Sequence, residues 1–94
     1  MGSSKFEIAD YLDSPELISE YLNNVLEDGD SGEVIVALGH IAKAIGMSKI
    51  SEDTGMSRTS LYKALSKGAK PQFDTIMKVL SAIGGRIQIQ AKTL

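Results

Sequence analysis

The sequence predicts an all-α domain of five helices that ends in one short β-strand, and three observations carry that expectation. Apolar residues recur at helical spacing in five separate stretches, most of them opened by a capping residue or closed by glycine. Two of those stretches are short and share one tight glycine turn, over residues 47–65. From Arg86 onward the apolar period shortens to two.

Ser14-Pro15-Glu16 opens the first helix: an N-cap, a proline at N1 where no N–H is needed, and an acid that suits the positive end of the helix dipole. Ile18, Tyr21, Leu22 and Val25 form its apolar stripe, and Glu27-Asp28-Gly29-Asp30 ends it. A second helix is expected over 31–45, with Val34, Leu38, Ile41, Ala42 and Ile45 on one face and Gly46 as its stop. In the third, Ser48 stands as N-cap and Ile50 as first anchor; Gly55 then supplies the left-handed residue that lets a helix stop and reverse. Ser57 caps the fourth, and Leu61 and Leu65 follow at i and i+4. A polar connection, Ser66-Lys67-Gly68-Ala69-Lys70-Pro71, leads to a fifth helix over 73–83 that buries Ile76, Val79, Leu80 and Ile83 before Gly84-Gly85. Arg86-Ile87-Gln88-Ile89-Gln90-Ala91 alternates polar and apolar residues, the pattern of a half-buried strand. A lone strand cannot satisfy its own backbone groups, so its expected partner is a second copy of the chain; the alternative is a disordered tail. The domain limits are therefore 1–5 as an appended or frayed end, 6–84 as the helical domain, and 85–94 as a dimerisation strand and tail.

Two short helices about a glycine turn have the spacing of a helix-turn-helix, which lays one helix across DNA and the next into its major groove. With Leu61 and Leu65 turned inward, Thr59, Ser60 and Lys63 fall on the opposite side, Tyr62 lies at the flank, and Arg58 stands at the N-terminal tip. Arginine can pair with guanine, hydroxyls reach base edges or phosphates, and lysine neutralises phosphate. Ser57 is a further candidate contact, with capping as its primary role. A formal net charge of −2 argues against nucleic acid, but its distribution does not. Residues 1–45 carry two basic side chains against nine acidic ones, whereas residues 46–94 carry eight basic against three acidic. Lys49, Arg58, Lys63, Lys67 and Lys70 gather in the motif and the loop after it. A basic cluster by itself is often only a solvated surface, and its coincidence with the motif is what gives it meaning.

The chain has 94 residues, the size of one small domain, and 43% hydrophobic and 23% charged residues, ordinary globular values. It has no cysteine, which removes disulfides, zinc ribbons and thiol catalysis. No apolar run approaches about 18 residues and no signal segment is visible, so the expectation is a cytoplasmic protein outside the membrane. His40 is the single histidine, and a helical wheel sets it opposite the Leu38, Ile41 and Ile45 stripe. One imidazole without a second ligand or a nucleophile makes neither a metal site nor a triad, so no catalytic residue, metal or cofactor is expected.

The stretch from Met47 to Leu65 strongly resembles the helix-turn-helix of HigA-like addiction-module antidote proteins, also described as prophage DNA-binding proteins. Asp10-Tyr11-Leu12, Tyr21-Leu22-Asn23, residues 37–44 and Pro71-Gln72-Phe73-Asp74-Thr75-Ile76 extend the resemblance. Ser51 stands where such folds usually place alanine, and His40 where an acid is common. The resemblance implies a five-helix Cro/C1 repressor-like DNA-binding domain, acting as an antitoxin that represses its own operon as a homodimer and neutralises a small basic toxin of RelE/ParE type. It assigns base reading to Arg58, Thr59, Ser60 and Lys63 and phosphate clamping to Lys49, Tyr62, Lys67 and Lys70. Pairing of the two copies falls to Arg86, Ile87, Gln88, Ile89 and Gln90 by their alternation. A prophage regulator without a toxin, or a protein-interaction module that does not bind DNA, would use the same residues differently.

Overall fold

The computed structural model describes residues 12–92, so the expected end at 1–5, the acids Glu7 and Asp10 and the last two residues lie outside the described residues. Five helices follow one another: α1 (Pro15–Asp28), α2 (Ser31–Ile45), α3 (Met47–Thr54), α4 (Arg58–Ala64) and α5 (Phe73–Ala82).

Their ends are set by local chemistry. Ser14 Oγ accepts from the Leu17 N–H, with Pro15 at the first helical position. At α2, Asp30 and Glu33 form a reciprocal capping box: Asp30 Oδ1 accepts from the Glu33 N–H and Glu33 Oε1 from the Asp30 N–H, each at 2.9 Å. Ser57 Oγ caps α4 by accepting from the Ser60 N–H at 3.1 Å. Gly55 closes α3 in the left-handed region (φ 76°), where a side chain would be strained.

Ser48 departs from expectation. α3 begins one residue earlier, at a buried Met47, and its N-cap is Gly46, which also ends α2. A one-residue corner that turns the chain by 106° leaves no position for a capping side chain, and Ser48 is an exposed residue inside the helix.

The core gathers where α2, α3, α4 and α5 meet. Leu38 and Ala42 of α2, Met47 and Ile50 of α3, Leu61 of α4, Leu65 just after it and Val79 of α5 are buried together. Each complete Leu, Ile or Val side chain so removed from water contributes roughly 1.5–3 kcal/mol. Gly39 permits the tightest approach: a Cβ there would lie 2.9 Å from the Leu65 carbonyl oxygen, so the end of α4 rests on α2 backbone. α1 is the outer helix. It packs chiefly on α2, and its apolar stripe, Ile18, Tyr21, Leu22 and Val25, is only half-buried.

The C-terminal segment also differs from expectation. Among the described residues there is no strand, and residues 86–92 are exposed with no ladder partner. Ile89 is 88% exposed and Ile87 49%. The alternation of residues 86–90 offers a pleated apolar edge, but among the described residues no strand supplies the matching backbone groups. Among the described residues no single helix is long and apolar enough to cross a membrane.

Candidate nucleic-acid interface

α4 presents its charged and hydroxyl side chains because its apolar ones are taken by the core. Leu61 has no exposed surface, while Arg58, Thr59, Ser60, Tyr62 and Lys63 are all exposed. Ser57 donates its hydroxyl hydrogen to Ser60 Oγ at 3.0 Å while accepting from the Ser60 N–H. Ser60 Oγ accepts in that bond, which leaves its own hydroxyl hydrogen to donate elsewhere. Tyr62 is 47% exposed, and the Lys63 carbonyl accepts from the Ser66 hydroxyl at 2.9 Å, which ties off the end of the helix. Lys67 and Lys70 are exposed in the loop that follows.

Lys49 stands apart from these cations. It pairs with Asp53 one turn on, at 2.8 Å on exposed surface, and this hydrogen-bonded carboxylate raises the ammonium above its ordinary value. The pair sits on α3, and any anion that uses Lys49 competes with Asp53 for it.

The turn between α3 and α4 is held by side chains that the sequence pattern did not single out for that task. The Ser51 hydroxyl donates to the Met56 carbonyl. Thr54 Oγ1 donates to the Ile50 carbonyl at 2.7 Å and accepts from the Met56 N–H at 3.2 Å. Ser51, which reads in sequence as a small-for-small exchange for alanine, is thus a tether across the turn that aims α4. The Ser and Thr before Gly55 are the signal available in sequence, since such hydroxyls commonly bond backbone a few residues away.

His40 lies away from the Leu38, Ile41 and Ile45 stripe, as its position in the helix predicts, but that side of α2 is not open. It faces α1, where Nδ1 lies 2.9 Å from the Tyr21 hydroxyl and the rings stack with centroids 6.3 Å apart. Burial there pushes the Tyr21 phenol above its ordinary 10.0. A wheel drawn on one apolar stripe sets His40 off that stripe but does not show what covers it, because α2 meets α3 and α5 on one side and α1 on another.

Comparison with known proteins adds the family. A family model described as "Probable addiction module antidote protein" matches residues 2–91. A protein of Haemophilus influenzae, described as an uncharacterized protein, is 45% identical over 85 residues, covering 90% of this chain and 88% of its own length. No solved structure matches the chain. A match across nearly the whole length, with a relative this similar, settles the kinship: the chain belongs to the probable addiction-module antidote protein family, which implies an antitoxin role and a toxin partner.

Proposed function

We propose that this antidote is a sequence-specific DNA-binding repressor that binds its own operator as a homodimer through a Cro/C1-type helix-turn-helix, α3 and α4, in the cytoplasm, and neutralises a toxin of RelE/ParE type. The observation that carries the DNA reading is α4: Arg58, Thr59, Ser60 and Lys63 exposed on a helix whose Leu61 is buried, after a glycine turn and a serine cap. Arg58, Thr59, Ser60 and Lys63 read bases, with Ser57 at the helix tip; Tyr62, Lys67 and Lys70 hold phosphates, and Lys49 does so once released from Asp53. The toxin class rests on the resemblance to HigA-like antidotes.

A second copy is supported by apolar side chains left in water: Phe73 and Met77 on α5, and Ile87 and Ile89 in the segment beyond it, are all exposed. Pairing of Arg86, Ile87, Gln88, Ile89 and Gln90 with their twins would cover that surface and set two recognition helices about 34–36 Å apart on an inverted repeat.

The test is operator binding by the full chain over a salt series. Log K should fall with log salt at roughly −0.9 per phosphate contact. Arg58→Ala should weaken specific binding by roughly 1–3 kcal/mol, whereas Lys70→Ala should weaken all sequences alike. Unchanged binding in the Arg58→Ala, Lys63→Ala double variant would refute the DNA reading. A chain stopped at Gly84 that sediments as a full dimer would refute the C-terminal interface.

A further inference from the structure

α1 and α2 meet at an elbow whose outer side forms an open groove of about 470 Å³. Its floor is apolar, from half-buried Tyr21, Val25 and Val36, and its rim carries Asp28 and Glu33. From residue 12 to residue 42 the chain holds seven acids and neither lysine nor arginine.

The local structure accounts for only some of those acids. Asp30 and Glu33 cap α2. Glu27 and Asp28 do the opposite, standing in the last turn of α1, which holds no basic residue, against the negative end of the helix dipole. Of these two carboxylates, placed where they cost the helix stability, Asp28 lines the apolar groove, and neither has an ion-pair partner among the described residues. Their field favours a cationic occupant and repels phosphate. The groove also lies on the outer helix, which packs chiefly on α2 and makes no comparable contact with α4, so occupancy leaves the candidate DNA helix free.

We infer that the α1–α2 groove is the docking site for the toxin, taking a segment that sets an apolar side chain on Tyr21, Val25 and Val36 and flanks it with lysine or arginine facing Asp28, with Glu27 adding its charge from the same turn. This rests on the antidote membership and is independent of DNA binding.

The probe is the purified product of the open reading frame adjacent to this gene, titrated with the full chain and with its Glu27→Gln, Asp28→Asn double variant. Glu16→Gln, Glu20→Gln serves as a control with the same change of net charge elsewhere on α1. Neutralising Glu27 and Asp28 relieves the helix dipole, so the variant should melt no lower than the parent. Association should slow about tenfold at low salt in the double variant, with the difference shrinking as salt rises, and the control should stay near the parent. Amide shifts on binding should centre on residues 21–36. Equal binding by parent and double variant would overturn the groove and leave the antidote reading intact. Loss shared equally by the control would reduce the effect to net charge and overturn it as well. Altered self-association of the variant would show the groove to be covered by a second copy. No binding of the probe by the parent chain would overturn both the groove and the pairing with that toxin.

Discussion

Gly39 and Gly32 lie in the same helix, and alanine should stabilise the fold at Gly32 but give no gain or a loss at Gly39. In a helix interior, glycine to alanine gains roughly 1 kcal/mol from backbone entropy alone. At Gly32, in the first turn of α2, the added Cβ meets only the Asp30 carboxylate, at 3.4 Å, so up to about 1 kcal/mol of that gain should appear. At Gly39 the added Cβ would lie 2.9 Å from the Leu65 carbonyl oxygen and 3.5 Å from the Leu65 Cβ. The obstruction is backbone at the end of α4, and Leu65 is 94% removed from water at 6% exposure, so relief requires moving one helix against the other. Overpacking of this kind costs roughly 1–3 kcal/mol, which exceeds or cancels the propensity gain. The two variants should therefore differ by about 1–3 kcal/mol, or on the order of 4–8 °C in melting temperature per kcal/mol for a domain of this size. Urea and thermal unfolding followed by circular dichroism, at one fixed protein concentration because a dimer would couple to it, measures the difference. If Gly39→Ala melts as high as Gly32→Ala, the close approach of α2 to α4 is not a constraint on this fold.

Three further outcomes follow from single contacts. Asp30→Ala removes one half of the capping box and should cost about 0.5–2 kcal/mol by urea unfolding. Ser51→Ala should change stability by less than about 1 kcal/mol, because the lost bond to Met56 is offset by helix propensity, yet amide exchange at residues 55–57 should quicken while α5 stays unchanged. Burial raises the Tyr21 phenol above 10.0, so the folded state favours its neutral form: that stability is complete below pH 10.0 and is lost as pH rises through the folded value. Tyr21→Phe should abolish this alkaline loss, seen by ultraviolet titration and by melting against pH, and should cost about 0.5–1.5 kcal/mol at neutral pH through the missing bond to His40.

The helices and the exposed side of α4 were legible in the chain because the signals involved act within a few residues. Ser14 with Pro15, Ser57, Gly46 and Gly55 mark helix ends through bonds and backbone angles that need no distant partner. The spacing of Ile50 and Leu61 decides which way α3 and α4 face, and hence that Arg58, Thr59, Ser60 and Lys63 meet water. What depends on a second element was not legible. His40 turns to α1 because α2 has neighbours on two sides, and a single periodicity encodes one. Ser48 does not cap α3 because Gly46, at φ 123°, is at once the end of α2 and the N-cap of α3, and Met47 already begins the helix. Residues 86–90 alternate as a strand does, but a ladder is a property of two sets of backbone groups, and the described residues hold no second strand to pair with them. The groove at the α1–α2 elbow is the same case in three dimensions: Tyr21 and Val36 are fifteen residues apart in the chain, and only the packing of two helices brings them to one floor, beneath acids whose sequence order shows no pocket.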